Sequence, residues 1–177
     1  MALEGGHCEL ISPEKALRDA IDYYWLLTIT APQLDLEIIP DAALDLVLCP
    51  TIDNFAVVYP PAETKFKIPL QGPIQYVGIC FQSAAAPMLL NTDINDLRTL
   101  SFGSDTILTL NIETLVQSTQ GHTSLETLQP VLNDFWRNRL DDQPTHSQST
   151  EKKSNQSSEG PIQNAHKQRL NLSLIHI

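Results

Sequence analysis

From Asp141 to Gly160 the chain runs for twenty residues without a single Ala, Val, Ile, Leu, Met, Phe, Trp, Tyr or Cys. Ser, Gln, Thr, Asn, Lys and Glu cannot bury enough apolar surface to offset the entropy of ordering a backbone, so residues 141–160 read as a solvated, disordered linker. The linker divides the chain unequally. Residues 1–140 are a normal size for one folded domain, whereas the seventeen residues of 161–177 are too few to fold alone. Long polar tethers join working modules, so a second module is expected beyond this one.

Charge narrows the function of the first part. Residues 1–140 carry 7 Lys and Arg against 17 Asp and Glu, while the remainder carries 4 of each. An acidic surface of this kind repels phosphate backbones and anionic lipid, so neither direct DNA binding nor a membrane partner is expected of the domain. The three cysteines, Cys8, Cys49 and Cys80, are odd in number and widely spaced. They fit buried thiols in a reducing cytoplasm better than a disulfide framework or a zinc site. Met1 to Leu10 show no basic region followed by a long apolar core, and nowhere do eighteen apolar residues run together, so neither secretion nor a membrane span is expected.

Ser12 and Pro13 resemble an N-cap and first helical residue, and Ala16, Leu17, Ala20, Ile21 and Tyr24 follow at helical spacing, predicting a short amphipathic helix. Six β-rich runs come next: Tyr24–Ile29, Leu34–Ile39, Leu44–Cys49, Phe55–Tyr59, Phe66–Leu70 and Tyr76–Phe81, separated by Pro, Gly and Asp turn signals. They predict an antiparallel sheet, curled into a half-barrel or packed as a small sandwich. Helices are expected over Ala84–Leu90, Asn111–Gln117 and Leu125–Leu140, the last with Pro130 shifting its start or kinking it. Strands first and helices after make an α+β domain with the helices on one side.

Catalytic motifs are scarce. None of the five histidines stands in a metal-binding spacing, and neither a Gly-rich phosphate loop nor a nucleophile elbow occurs, so no metal and no cofactor is expected. Asp41 and Asp45 form a carboxylate pair whose even spacing would put both on one face of a strand. They read either as a turn acceptor and a solvent-side strand residue or, if a concave pocket held both with one pKa raised, as an acid–base pair of a cupin-like isomerase or lyase.

The succession of Pro13, Leu17 and Tyr23-Tyr24-Trp25, Ile39-Pro40-Asp41 with Leu44-Asp45-Leu46, Leu70-Gln71-Gly72 and Val77-Gly78-Ile79-Cys80-Phe81 resembles the N-terminal domain of a subgroup of AraC-type bacterial transcription regulators. Leu89-Leu90, Ile94-Asn95-Asp96-Leu97 and the helix from Leu125 to Leu140 continue the likeness to the end of the domain. Cys80 stands where that subgroup often carries Arg, and Gln82-Ser83-Ala84 where it usually has Pro-Gly-Ala. The resemblance implies a cupin-like regulatory domain that senses an effector and dimerises, followed by a C-terminal DNA-binding domain of two helix-turn-helix units. Pro161 to Leu170 is similar to the start of that second domain. The closing Leu172 to Ile177 departs from it and resembles translated cloning sequence, so a truncated reading frame is expected.

The expected function is therefore the regulatory, effector-sensing and dimerising part of a cytoplasmic transcription regulator, not an enzyme, reaching DNA only through the absent domain. A free-standing small-molecule binding module is the alternative. Trp25, Asp41, Asp45 and Tyr76 are the candidate ligand-binding residues. Leu128, Val131, Leu132, Phe135 and Trp136 are the candidate homodimer interface, because they supply more apolar surface than one face of a peripheral helix needs; the alternative is that they close the domain's own core, and Trp136 is the residue that discriminates the two.

Overall fold

The computed structural model describes residues 2–41, 43–52, 55–92 and 112–142. Apart from Asp141 and Asp142, the linker expected over 141–160 lies outside these residues, as do the 161–177 stub and the Ile94-Asn95-Asp96-Leu97 stretch. The described residues form eight strands: β1 (Ala2–Leu3), β2 (Gly6–Ile11), β3 (Ile21–Ile29), β4 (Gln33–Ile38), β5 (Leu44–Leu48), β6 (Ala56–Tyr59), β7 (Phe66–Gln71) and β8 (Ile74–Phe81). Three helices follow, α1 (Ala86–Leu90), α2 (Ile112–Thr119) and α3 (Leu125–Asp141). Six strands make one antiparallel sheet in the order β1-β2-β3-β8-β5-β6, and β4 pairs with β7 in a separate two-stranded sheet. The architecture is the expected α+β one, a β-sandwich with helices on one side.

The larger sheet is covered on both faces, and strand parity shows how. On β5, Leu44, Leu46 and Leu48 point into a core shared with the helices, while Asp45 and Val47 point the other way. On β3, Tyr24 and Leu26 face the helices and Leu27 and Ile29 face the small sheet. A bulge between Ile21 and Tyr23 resets the alternation, which returns Ile21 to the helix side. Central strand β8 buries five residues in succession, Val77 to Phe81, as a strand sandwiched on both faces must.

The helices supply a matching stripe. Leu125, Leu128, Leu132 and Trp136 recur at spacings of three and four along α3, and all are buried against the sheet together with Leu115 and Val116 of α2 and Leu89 and Leu90 of α1. Each fully buried Leu contributes roughly 1.5 to 3 kcal/mol of hydrophobic stabilisation. Helix α3 begins at Leu125 and continues through Pro130, whose ring lies on the exposed side. On the opposite face of the sheet Cys8, Leu27 and Ile29 pack against Leu34 and Leu36 of β4 in a second core. Among the described residues no helix is long and apolar enough to cross a membrane.

Two local expectations fail. The helix predicted after Ser12 is reduced to a single 3-10 turn at Lys15–Leu17, and Ile21 already belongs to β3. Side chains of α3 bind this segment instead: Gln129 Nε2 donates to the Ser12 carbonyl at 2.7 Å, Asn133 Oδ1 accepts from the Glu14 N–H at 3.3 Å, and Arg137 grips the Glu14 carboxylate with contacts of 2.7 and 2.6 Å. With these backbone groups satisfied from outside, so short a helix gains too few internal bonds to offset its nucleation. Strand β2 was not expected at all. Its alternation is weak because Leu10, 40% exposed, faces an open cavity and not a packed core.

Candidate functional site

Antiparallel register assembles rows of side chains across the face of the sheet that looks toward β4 and β7. Asp45 on β5 pairs with Tyr59 on β6 and with Cys80 on β8, and Cys80 pairs with Tyr23 on β3. One step along, Val47 pairs with Gly78, Gly78 with Trp25 and Trp25 with Leu10. A third row joins Tyr76, Leu27 and Cys8. Successive rows lie two residues apart, so all of them present side chains to the same side.

These rows and the small sheet enclose a cavity of about 160 Å³. Trp25, Asp41, Asp45 and Tyr76 all line it, so the four ligand-binding candidates converge on one place. Leu36, Glu37 and Ile38 of β4 and Ile68 and Leu70 of β7 close it from the opposite side. Phe55 and Tyr59 add two more rings, and the Phe55 and Tyr76 ring centroids lie 6.1 Å apart at 56°.

Gly78 lies beneath the Trp25 ring that lines this cavity. A Cβ at position 78 would come within 1.8 Å of Trp25 Cε2 and 2.2 Å of Trp25 Nε1, so the indole occupies the space that a side chain there would need. Crossing β8 in this way brings the indole N–H to Asp45, where it donates to Oδ1 at 3.1 Å. Asp41 sits in the turn before β5 and accepts the Ala43 N–H at 3.1 Å, as short acidic turn residues do.

The electrostatics of the cavity are one-sided. Burial pushes the Asp45 carboxyl up to about 7, with the Trp25 N–H opposing the shift and the nearby Asp41 carboxylate adding to it. Burial also raises Asp41, against the stabilising Ala43 N–H, and raises the Tyr59 and Tyr76 hydroxyls. The Cys80 thiol is driven well up, first by burial and then by Asp45, and the Cys8 thiol is pushed up to about 11, chiefly by burial. Both therefore stay protonated at neutral pH. Among the described residues, none that lines the cavity is Lys, Arg or His. Among the described residues, Glu37 is the one lining carboxylate with a cation, Lys65 Nζ at 2.7 Å.

The interface candidates fare differently. Leu128, Leu132 and Trp136 have no exposed surface and belong to the domain's own core, which corrects their assignment to a homodimer contact. Trp136 stands edge-on to Phe81 at 5.1 Å and to Phe135 at 5.0 Å, filling the junction between sheet and helices. Val131 and Phe135 alone of the five keep partial exposure. Five interface candidates are more apolar surface than a peripheral helix needs, but α3 packs on β2 and β3 and reaches Phe81 of β8, and the sheet takes up the excess.

Three cavity residues escaped sequence reasoning, Tyr23, Phe55 and Tyr59, as did Gly78 beneath the Trp25 ring. Tyr59 and Tyr23 share a row with Asp45, a relationship visible only once β8 is known to lie between β3 and β5. Among the described residues no group of three His, Cys, Asp or Glu side chains is placed to hold a metal ion.

Comparison with known proteins adds a family. No curated protein and no solved structure matches the chain. Residues 9–102 match DUF6597, a domain of unknown function. The matched segment reaches from β2 through β8 to beyond α1, includes Trp25, Asp41, Asp45 and Tyr76, and takes in more than half of the 177 residues. The chain thus belongs to the DUF6597 family.

Proposed function

We propose that this domain is the effector-sensing part of a cytoplasmic transcription regulator of the AraC type, and that its effector sits between the two sheets. The observation that carries the reading is the convergence of Trp25, Asp41, Asp45 and Tyr76 on a single cavity with aromatic walls and few polar groups, the usual make-up of a small-molecule site. The ordered likeness of the sequence to AraC-type N-terminal domains supports the regulatory role.

A ligand between β4–β7 and the larger sheet touches both layers, so its binding energy favours whichever spacing of the two it fits best. Trp25 lines the cavity, and its neighbour Tyr24 points to the opposite face, where its hydroxyl donates to Asn133 Oδ1 of α3 at 3.1 Å. Strand β3 is therefore a short physical route from ligand to helix. Of the interface candidates, a homodimer would have Val131 and Phe135 to use, and DNA would be contacted by a further domain.

Ligand-observed NMR screening of the 177-residue chain against small fragments tests the reading. Ala43→Trp, which puts a large side chain on a residue that lines the cavity, should abolish binding of the hits. Hits that bind both proteins equally would place the site elsewhere.

A second reading has one observation in its favour. Asp45, pushed up to about 7 and sharing its cavity with Asp41, has the pKa expected of a general acid or base in an isomerase or lyase. Among the described residues the lining supplies no Lys, Arg or His to stabilise a developing oxyanion, which favours binding over turnover. Chemical conversion of a bound hit, lost in Asp45→Asn, would reverse that preference.

A further inference from the structure

The cavity's charge, wall chemistry and size together restrict what it accepts. Asp41 and Asp45 both face it, and neither has an ion-pair partner among the described residues, whereas Glu37 is already matched by Lys65. Carboxylates taken partly out of water without a cation are unfavourable, and a positive charge brought by the ligand would relieve them. The remaining walls are suited to the same guest. Trp25, Phe55, Tyr59 and Tyr76 present ring surfaces, and aromatic faces attract ammonium groups. An anionic ligand would meet two like charges and, among the described residues, no basic side chain.

Size sets the limit. A cavity of about 160 Å³ is close to one known to hold benzene, which leaves room for a body of about six to ten non-hydrogen atoms. Orientation is fixed as well, since the Trp25 N–H holds Asp45 Oδ1 and the Ala43 N–H holds Asp41 Oδ1. The excess of acidic residues in 1–140 would also concentrate cations near the entrance.

We infer that the cavity binds a small organic cation, an amine with a compact apolar body, its ammonium group against Asp45 and Asp41 and its body among the rings of Trp25, Phe55, Tyr59 and Tyr76. This rests on the reading of the cavity as an effector site and gives that effector a chemical class. A neutral ligand of the same shape would fill the rings but leave both carboxylates unmatched.

Calorimetric titration of the full 177-residue chain at pH 8 with benzylamine, benzyl alcohol and benzoate tests this, because the three differ chiefly in charge. Benzylamine should bind about tenfold tighter than benzyl alcohol, the gain expected from a charge-assisted contact, and benzoate should not bind. Asp45→Asn should bring benzylamine down to the level of benzyl alcohol, and Ala43→Trp should abolish both. Should Asp45→Asn not fold, the comparison of the three probes on the unaltered chain still decides. Benzyl alcohol or benzoate binding as well as benzylamine would overturn the cationic class while leaving an effector cavity in place. Binding by none of the three would overturn both, and benzylamine binding that survives Ala43→Trp would move it to the outer acidic surface and overturn the inference.

Discussion

The indole of Trp25 lies where a side chain at Gly78 would otherwise stand, so that a residue on β3 reaches across β8 to donate a hydrogen bond to Asp45 on β5. Three strands are tied together beneath the cavity by this one contact. A methyl group at position 78 must displace the ring. Gly78→Ala should therefore cost about 1 to 3 kcal/mol, the range for overpacking a filled site, and should weaken ligand binding by freeing Asp45 from its donor. Urea denaturation of both proteins checks the first effect. An unchanged midpoint would mean that the indole has no fixed place over Gly78.

Asp45 gives the fold a pH dependence of definite sign. Its carboxyl is moved from 3.8 to about 7, chiefly by burial, so the folded chain keeps a proton that the unfolded chain has already released over that interval. Stability must then fall as pH rises from about 4 to 7, by up to about 4 kcal/mol if the whole shift is realised. Trp25, Cys80, Asp41 and Asp22 all act on this carboxyl, and Asp41, itself raised by burial, adds a slope of the same sign. Asp45→Asn keeps an oxygen for the Trp25 N–H while removing the charge. It should be more stable than the parent at pH 8 and flatten the slope; equal slopes in urea midpoints measured from pH 4 to 8 would contradict this.

Trp136 is a core residue. Trp136→Ala should cost roughly 3 to 5 kcal/mol of folding stability, since it empties the space between Phe81 and Phe135. Chemical denaturation at several protein concentrations measures this directly. A loss that appears only as weakened self-association would return the residue to an interface.

Asn133 Oδ1 accepts both the buried Tyr24 hydroxyl at 3.1 Å and the Glu14 N–H at 3.3 Å. Asn133→Ala strands two donors and should cost about 1 to 3 kcal/mol, whereas Tyr24→Phe removes one partner cleanly and should cost about 1 kcal/mol. The double variant should be less destabilised than the sum. Strict additivity in a double-mutant cycle would show that the two side chains do not interact in solution.

Much of this fold was legible because strands announce themselves through β-branched and aromatic runs. Five of the six expected runs begin and end within about two residues of the strands found; the sixth, Tyr24–Ile29, is the C-terminal part of a strand that starts at Ile21. The bulge at Ile21 and Tyr23 explains that difference, because it makes a strand start at helical spacing. Likewise α3 was visible as Leu125, Leu128, Leu132 and Trp136, but the sequence holds no sign of what such a stripe packs against. Asp41 and Asp45 were legible as a pair, whereas Tyr59 and Tyr23 join them only through the sheet order β3-β8-β5-β6, a long-range property. Nothing local in the sequence marks Gly78 as the position that the Trp25 ring covers, because that contact joins β3 to β8.

The most direct test follows the two tryptophans by their indole N–H signals in a proton–nitrogen correlation spectrum during titration with benzylamine. Trp25 lines the cavity and hydrogen-bonds Asp45, while Trp136 is fully buried on the helix side and serves as an internal reference. A saturable shift of the Trp25 signal, with Trp136 nearly still and the effect lost in Asp45→Asn, is the predicted result. A Trp25 signal that stays fixed while the amine binds elsewhere, or does not bind at all, would contradict the account.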